Sequence, residues 1–212
     1  MASRAGLALL RNARQGDAQA QLALGRVYLT GEHGLGKSLI TAYHWLEMAA
    51  RAGVAEAWEA LGREIPLVEL KDPASALQWY RRAAASGIAA AQREVGAWLL
   101  GRDPAPDTSR EALTWLERAA AQGDVASQLL LGRLYLAGRH VPKDTAAARV
   151  WLEQAARQGS MESHRELLRI CTSLGDLPGI ERHARPLAER GDVHASYALG
   201  MALLGRAPAP IS

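Results

Sequence analysis

Four groups of residues in this chain have types and spacings that could do chemistry. Gly31-Glu32-His33-Gly34-Leu35-Gly36-Lys37-Ser38 fits the pattern G-x-x-x-x-G-K-S. In a phosphate-binding loop of that pattern, backbone amides cradle the phosphates, the lysine reaches their oxygens and the serine binds magnesium. Such a loop needs a strand before it, whereas the residues here, Ala20 to Leu29, read as a helix. The segment also aligns with Gly138–Asp144, allowing one inserted residue, so Lys37 takes the place of Lys143. An ordinary loop is therefore expected, and no cofactor. The six histidines, His33, His44, His140, His164, His183 and His194, include no i, i+4 pair and no H-E-x-x-H, so no metal site is expected. Cys171 is the single cysteine, which rules out an intrachain disulfide framework and predicts a small buried apolar side chain. No nucleophile-elbow serine and no Cys–His cue is present, and the expectation is a protein that is not an enzyme. The fourth group is a row of arginines, whose meaning depends on the elements that carry it.

Those elements repeat. Gly16, Gly53, Gly87, Gly123, Gly159 and Gly191 recur at intervals of 37, 34, 36, 36 and 32 residues. Each follows an Ala-rich helical stretch, where glycine suits the left-handed position after a helix. Asp17, Asp124, Asp192 and Ser160 come next and suit the N-cap of the following helix. A second ladder is Leu24-Gly25, Leu61-Gly62, Val95-Gly96, Leu131-Gly132 and Leu199-Gly200, where a missing Cβ lets a neighbouring helix come close. A third is Trp45, Trp79, Trp115 and Trp151, each followed four residues on by an Ala-Ala pair. Spacing of four puts both on one helical face, so tryptophan is expected as the knob and the alanines as its floor. Trp58 and Trp98 lie off this ladder. Asp72-Pro73, Thr108-x-x-Glu111 and Asp144 mark further helix starts. Ile65–Leu70 is apolar, but Pro66 argues against a strand.

Ala20-x-x-x-Leu24-Gly25-x-x-Tyr28-x-x-Gly31 followed by Ala42-x-x-Trp45-x-x-x-Ala49-Ala50 resembles the Sel-1-like repeat family, a branch of the tetratricopeptide-like (TPR) superfamily. The fourth unit matches best, through Leu131-Gly132, Tyr135, Gly138, Ala148, Trp151 and Ala155-Ala156. The resemblance spans roughly residues 16–206 and implies an all-α, right-handed α/α superhelical solenoid with a concave face, used as an adaptor or scaffold. About five and a half repeats are expected as one domain over 1–206: a partial first helix at 5–15, repeats at 16–52, 53–86, 87–122, 123–158 and 159–190, a partial last repeat at 191–206, and a disordered tail at 207–212. The second unit departs through Pro66. In the fifth, Leu168 replaces the glycine and His183 takes the tryptophan position.

If the repeat curves as the resemblance implies, the residue two after the ladder leucine faces the groove. Arg26, Arg63, Arg133 and Arg169 occupy four of six such positions. One turn earlier lie Leu22, Glu59, Arg93, Leu129, Arg165 and Tyr197; one turn later lie Leu29, Leu100, Leu136 and Leu204. Arginine forks match carboxylates, so the groove is expected to hold a partner protein or peptide with acidic and aliphatic residues. The competing reading is that these arginines cover the helix stem or pair with glutamates of the next repeat.

Bulk properties narrow the rest. An apolar content of 49% excludes a disordered chain, and a formal net charge of +3 gives no general case for nucleic acid. No apolar run reaches membrane-spanning length, and Met1 to Arg14 does not read as a signal peptide, so a bacterial-type, cytoplasmic chain without a membrane partner is expected. The expected function is a non-catalytic interaction adaptor. Its rivals are a recognition or regulatory fragment of a larger bacterial protein, an RNA-binding helical repeat, and an enzyme like the disulfide-rich β-lactam-hydrolysing relatives, whose cysteine pairs this chain lacks. The last helix keeps Ala195, Leu199, Ala202 and Leu203, so self-association through the solenoid ends is a further expectation.

Overall fold

A computed structural model describes residues 3–101, 105–206 and 208. The tail expected at 207–212 lies, apart from Pro208, outside them. The described residues form twelve helices and no strand. Two compact units divide the chain, 1–119 and 120–212.

The first unit contains α1 (Arg4–Arg14), α2 (Ala18–Thr30), α3 (Leu39–Arg51), α4 (Ala55–Glu64), α5 (Pro73–Ala85) and α6 (Ala89–Leu100), and most of α7 (Pro106–Ala121). The second contains α8 (Val125–Ala137), α9 (Thr145–Arg157), α10 (Met161–Leu174), α11 (Leu177–Ala188) and α12 (Val193–Leu203). Even-numbered helices from α2 onward are the first helices of their repeats, and the following odd-numbered helices are the second. In each unit, successive helices pack antiparallel-fashion as helix–turn–helix pairs.

The turns between repeats follow the ladder of glycines, all six at φ between 84° and 96°. The caps expected from sequence form as well. Asp17, Asp124, Asp144, Ser160 and Asp192 each accept a backbone N–H in the first turn of α2, α8, α9, α10 and α12. Asp72 does the same ahead of Pro73. Thr108 is different. It lies inside the first turn of α7, which begins at Pro106, and Glu111 turns instead to Arg81 and the Trp115 indole. Proline at the first helical position sets the start, so the threonine is not a cap.

The second glycine ladder is a packing device. A Cβ on Gly25 would lie 2.6 Å from Leu46 Cγ, one on Gly96 2.6 Å from Leu116 Cγ, and one on Gly132 2.6 Å from Leu152 Cγ. On Gly62 it would lie 2.6 Å from Ala83 Cβ and 2.7 Å from Ala91 Cβ. These contacts correct the expected role of tryptophan. The knob in three repeats is the residue that follows it, Leu46, Leu116 or Leu152, each 0% exposed; in the second repeat Ala83 and Ala91 fill the space at Gly62, and Tyr80, also 0% exposed, is buried against Ile65. Trp45 and Trp79 are buried beside these residues, whereas Trp115 and Trp151 are half-buried. Arg82 and Arg118 lie over the Trp79 and Trp115 rings, at 5.1 and 5.0 Å. A place beside the knob and under a cation suits a large amphipathic ring better than a hole made for a leucine.

The irregular segment of the second repeat is apolar because it plugs the first unit's core. Ile65, Leu67 and Leu70 are buried around a single 3-10 turn, Leu67–Glu69. The Tyr80 hydroxyl donates to the Ile65 carbonyl at 2.7 Å, and Glu94 Oε2 accepts the Leu67 N–H at 2.9 Å. In the fifth repeat, Gly175 ends α10 at φ 66° and Asp176 caps α11 immediately, which shortens the loop.

Two substitutions test the packing device. Gly62→Ala should lose about 1–3 kcal/mol of stability by overpacking, although alanine is the better helix former. Gly200→Ala, where a Cβ meets nothing within 4 Å, should be neutral or stabilising. Urea denaturation of the two variants and the parent measures both. Leu152→Ala should cost about 2–5 kcal/mol in the same assay.

Candidate functional site

The residues singled out from sequence fall into clefts between the first helices of consecutive repeats. In the first unit, Arg26, Leu29 and Thr30 of α2 face Glu56, Glu59, Arg63 and Glu64 of α4 across a cleft of about 280 Å³. In the second unit, Arg133 and Leu136 of α8 face Glu166, Arg169, Ile170 and Leu174 of α10 across a larger one of about 690 Å³. Lys143 and Thr145, where the loop enters α9, close its side.

The helical phase explains the grouping. Residues two after the ladder leucine sit on the side of the helix away from the knob, so Arg26, Arg63, Arg133 and Arg169 are all exposed. Leu22 and Leu100 are not groove residues as expected: both are buried, at 5% and 8% exposure. Arg93, Arg165 and Tyr197 do not line either cleft. Arg93 is half-buried on α6 and pairs with Glu94 at 3.2 Å. Arg165 Nε donates to Asp192 Oδ2 at 3.3 Å. Asp192 caps α12 by accepting the Ala195 N–H; that bond and Arg165 hold its carboxyl below the ordinary range. Tyr197 is exposed on α12.

Pairing with the next repeat, the competing reading of the arginines, is realised in the second unit. Arg133 Nε donates to Glu166 Oε1 at 3.1 Å, and Arg169 Nη1 lies 3.5 Å from Glu166 Oε2. One carboxylate thus sits between two guanidinium groups. The clefts also differ in charge. The first unit sets two arginines against three glutamates; the second sets Arg133, Lys143 and Arg169 against Glu166 alone.

The segment Gly31–Ser38 is built as the other repeat loop is. Gly31 and Gly138 end their helices at φ 81° and 67°. The Ser38 N–H donates to the Tyr28 carbonyl at 2.9 Å, as the Asp144 N–H does to Tyr135 at 3.0 Å. Ser38 Oγ accepts the Thr41 N–H at 3.2 Å and is the N-cap of α3. His33 and His140 occupy matching left-handed positions, at φ 54° and 62°. Among the described residues, no group of three His, Cys, Asp or Glu side chains is placed to hold a metal ion. Cys171 is fully buried, and burial pushes its thiol up to about 11.

Two features escaped sequence reading. The first is a ladder of buried glutamines. Gln21, Gln92 and Gln128 donate through Nε2 to the carbonyls of Ala13, Ala84 and Ala120, at 3.2, 3.0 and 3.0 Å. Each adds a second bond to a carbonyl near the end of the preceding helix, which also accepts the N–H of the turn glycine, Gly16, Gly87 or Gly123. The signal was present, since each glutamine lies three residues before the ladder leucine or valine. His164 takes this position in the fifth repeat and bonds the Ala156 carbonyl.

The second is the cluster around His183. Its Nδ1 lies 3.2 Å from His164 Nδ1, and its Nε2 lies 3.3 Å from Glu153 Oε1. Burial lowers both histidine pKa values; for His183, Glu153 offsets this, while His164 and Arg182 add to it.

With this geometry in place, the chain is defined as an α/α repeat protein. The sequence profile of the Sel1 repeat matches residues 18–54, 68–88, 89–124 and 125–160, and the chain belongs to the Sel1 repeat family. A solved protective antigen of uropathogenic Escherichia coli with an SLR fold is 30% identical, with a TM-score of 0.72 over 97% of this chain and 45% of its own. A Sel1 repeat protein from Oxalobacter formigenes is also 30% identical, with a TM-score of 0.55 over 75% of this chain and 65% of its own. Chitin synthase regulatory factor 3 of Schizosaccharomyces pombe is 39% identical over 88 residues, 40% of this chain and 9% of its own. The chain therefore spans less than two thirds of the length of each of these three relatives. Sel1 repeat proteins are in general protein-interaction scaffolds and typically non-catalytic. No helix among the described residues is long and apolar enough to cross a membrane.

The histidine cluster carries a pH prediction. A depressed histidine pKa means that the unfolded chain takes up protons first as pH falls. Stability is then complete above about pH 6.5, the ordinary histidine value, and declines below it. The Tm of the chain should drop by a few degrees between pH 7.5 and 5.5. The His164→Gln, His183→Gln variant should show less of this drop; an equal drop in both proteins assigns the effect elsewhere.

Proposed function

We propose that this chain is a non-catalytic interaction scaffold that holds a segment of a partner protein against the first helices of its repeats. The observation that carries this reading is the pair of clefts lined by exposed arginines and leucines, Arg26, Leu29 and Arg63 in one unit and Arg133, Leu136 and Arg169 in the other. Arginine supplies directed, multiple N–H donors, and the leucines supply apolar area at low entropic cost. The family's general role as a protein-interaction scaffold supports it. Arg93, Arg165 and Tyr197 enter this reading only as peripheral groups, since none lines a cleft. A second reading is that the chain is the recognition module of a larger protein, as its share of the longer relatives suggests.

The test is recovery of partners from lysate by the parent chain and by an Arg63→Glu, Arg133→Glu, Arg169→Glu variant. Exposed ion pairs are worth about 0–1 kcal/mol, so the variant should keep its helicity. A protein retained by the parent and lost by the variant supports the reading. Equal recovery by both places binding away from these helix faces.

A further inference from the structure

We propose that the cleft between α8 and α10 is an anchoring pocket for a peptide segment that presents two carboxylates beside aliphatic side chains, and that Glu166 is an internal placeholder for one of those carboxylates. The proposal rests on the scaffold reading and narrows it to one cleft and one chemistry.

The first argument is charge. Arg133, Lys143 and Arg169 line a cleft of about 690 Å³ with a single carboxylate, Glu166, which leaves an excess of two positive charges. The equivalent cleft of the first unit has three glutamates against two arginines. An acidic segment is attracted by the one and repelled by the other, although both are built from the same helices of the repeat.

The second argument is the use of donors. A guanidinium has five N–H groups. Glu166 engages Arg133 through Nε and Arg169 through Nη1. These contacts leave the Nη1/Nη2 edge of Arg133 and the Nη2 of Arg169 available to a ligand. The two side chains are 50% and 71% exposed, whereas Glu166 is 18% exposed. Glu166 thus holds the arginines in place from beneath while their outer donors face the cleft. The third cation starts from a loop that passes close to the end of α8, since a Cβ on Gly138 would lie only 3.1 Å from Lys143 Cβ.

The third argument is the apolar wall. Leu136 is half-buried, Ile170 is 7% exposed and Leu174, on the rim, is 63% exposed. An aliphatic side chain laid over Leu174 and Leu136 removes this surface from water. Glu166 then has a specific energetic role. It offsets the repulsion between Arg133 and Arg169 in the free protein and competes with the incoming carboxylate for the same donors. Removing its charge leaves the arginines with unspent donors and a stronger field.

The experiment uses the full chain and a fluorescein-labelled peptide, Glu-Leu-Asp-Glu-Leu, with Gln-Leu-Asn-Gln-Leu as its uncharged counterpart. Fluorescence anisotropy reads binding at low and moderate salt. The acidic peptide should bind, the amide peptide should bind about tenfold more weakly, and Arg133→Glu, Arg169→Glu should cost about tenfold or more. Glu166→Gln should tighten binding, a gain that misfolding cannot produce. Weaker binding by Glu166→Gln overturns the placeholder role. Undiminished binding by the Arg133, Arg169 variant, with loss in Arg26→Glu, Arg63→Glu, overturns this cleft and leaves the scaffold reading standing. Binding of a uridine 12-mer in preference to either peptide overturns both.

Discussion

Two helices of this repeat approach so closely that a single Cβ would not fit between them. That approach depends on glycine in the first helix and on a branched knob in the second, Leu46, Leu116 or Leu152. The alanines around them, such as Ala42, Ala49, Ala148 and Ala155, are each 0% exposed, and they set a short distance between helix axes. Once that distance is set, the polar demands at helix ends must be met within the same narrow space. The buried glutamines join the elements without widening it, because a planar amide on a flexible stem reaches a carbonyl near the end of the preceding helix, beside the turn glycine N–H that the same oxygen accepts. The fold is thus held by small residues where helices touch and by amides where they end.

The same constraint explains why much of the architecture was legible. Turn glycines, aspartate caps and Ala-Ala pairs each have one physical use, and they recur in register, so five copies reinforce one another. The tryptophan ladder was legible as a ladder and misread as a knob. Large apolar residues invite the assumption of deepest burial, but a hole made by a missing Cβ fits a leucine, and the indole packs beside it, buried at Trp45 and Trp79 and half-buried at Trp115 and Trp151. The Thr108-x-x-Glu111 pattern failed for a local reason, since Pro106 had already set the start of α7. The glutamine ladder was overlooked because a polar residue on a helix reads as exposed until its partner, eight residues away, is seen.

The candidate sites were legible in part, and the limit is again physical. Helical phase identifies which arginines point outward, and Arg26, Arg63, Arg133 and Arg169 do so. It does not identify their neighbours on the next repeat. A row of arginines read along one ladder suggested one cationic surface, whereas glutamates one or two turns away share the face of Arg63 and Arg169 and reach the arginine of the preceding repeat. Glu56, Glu59 and Glu64 surround Arg26 and Arg63, and Glu166 alone faces Arg133 and Arg169. The charge of a cleft is a property of two helices and a loop taken together.

This separation of roles bears on how such a repeat acquires binding preferences. Core positions are tied to the close approach and tolerate few residue types, while cleft positions touch mostly solvent and one another. Replacing Glu56, Glu59 or Glu64 in the first unit, or Glu166 in the second, makes the charge of a cleft more positive without touching a glycine, a leucine knob or a glutamine bond. His183 marks the opposite case. It occupies a position that carries tryptophan in other repeats, is 1% exposed, and brings Glu153 and His164 with it. A change at a buried position needs neighbours that answer it, and the cost of burying titratable groups is then written into stability rather than into recognition.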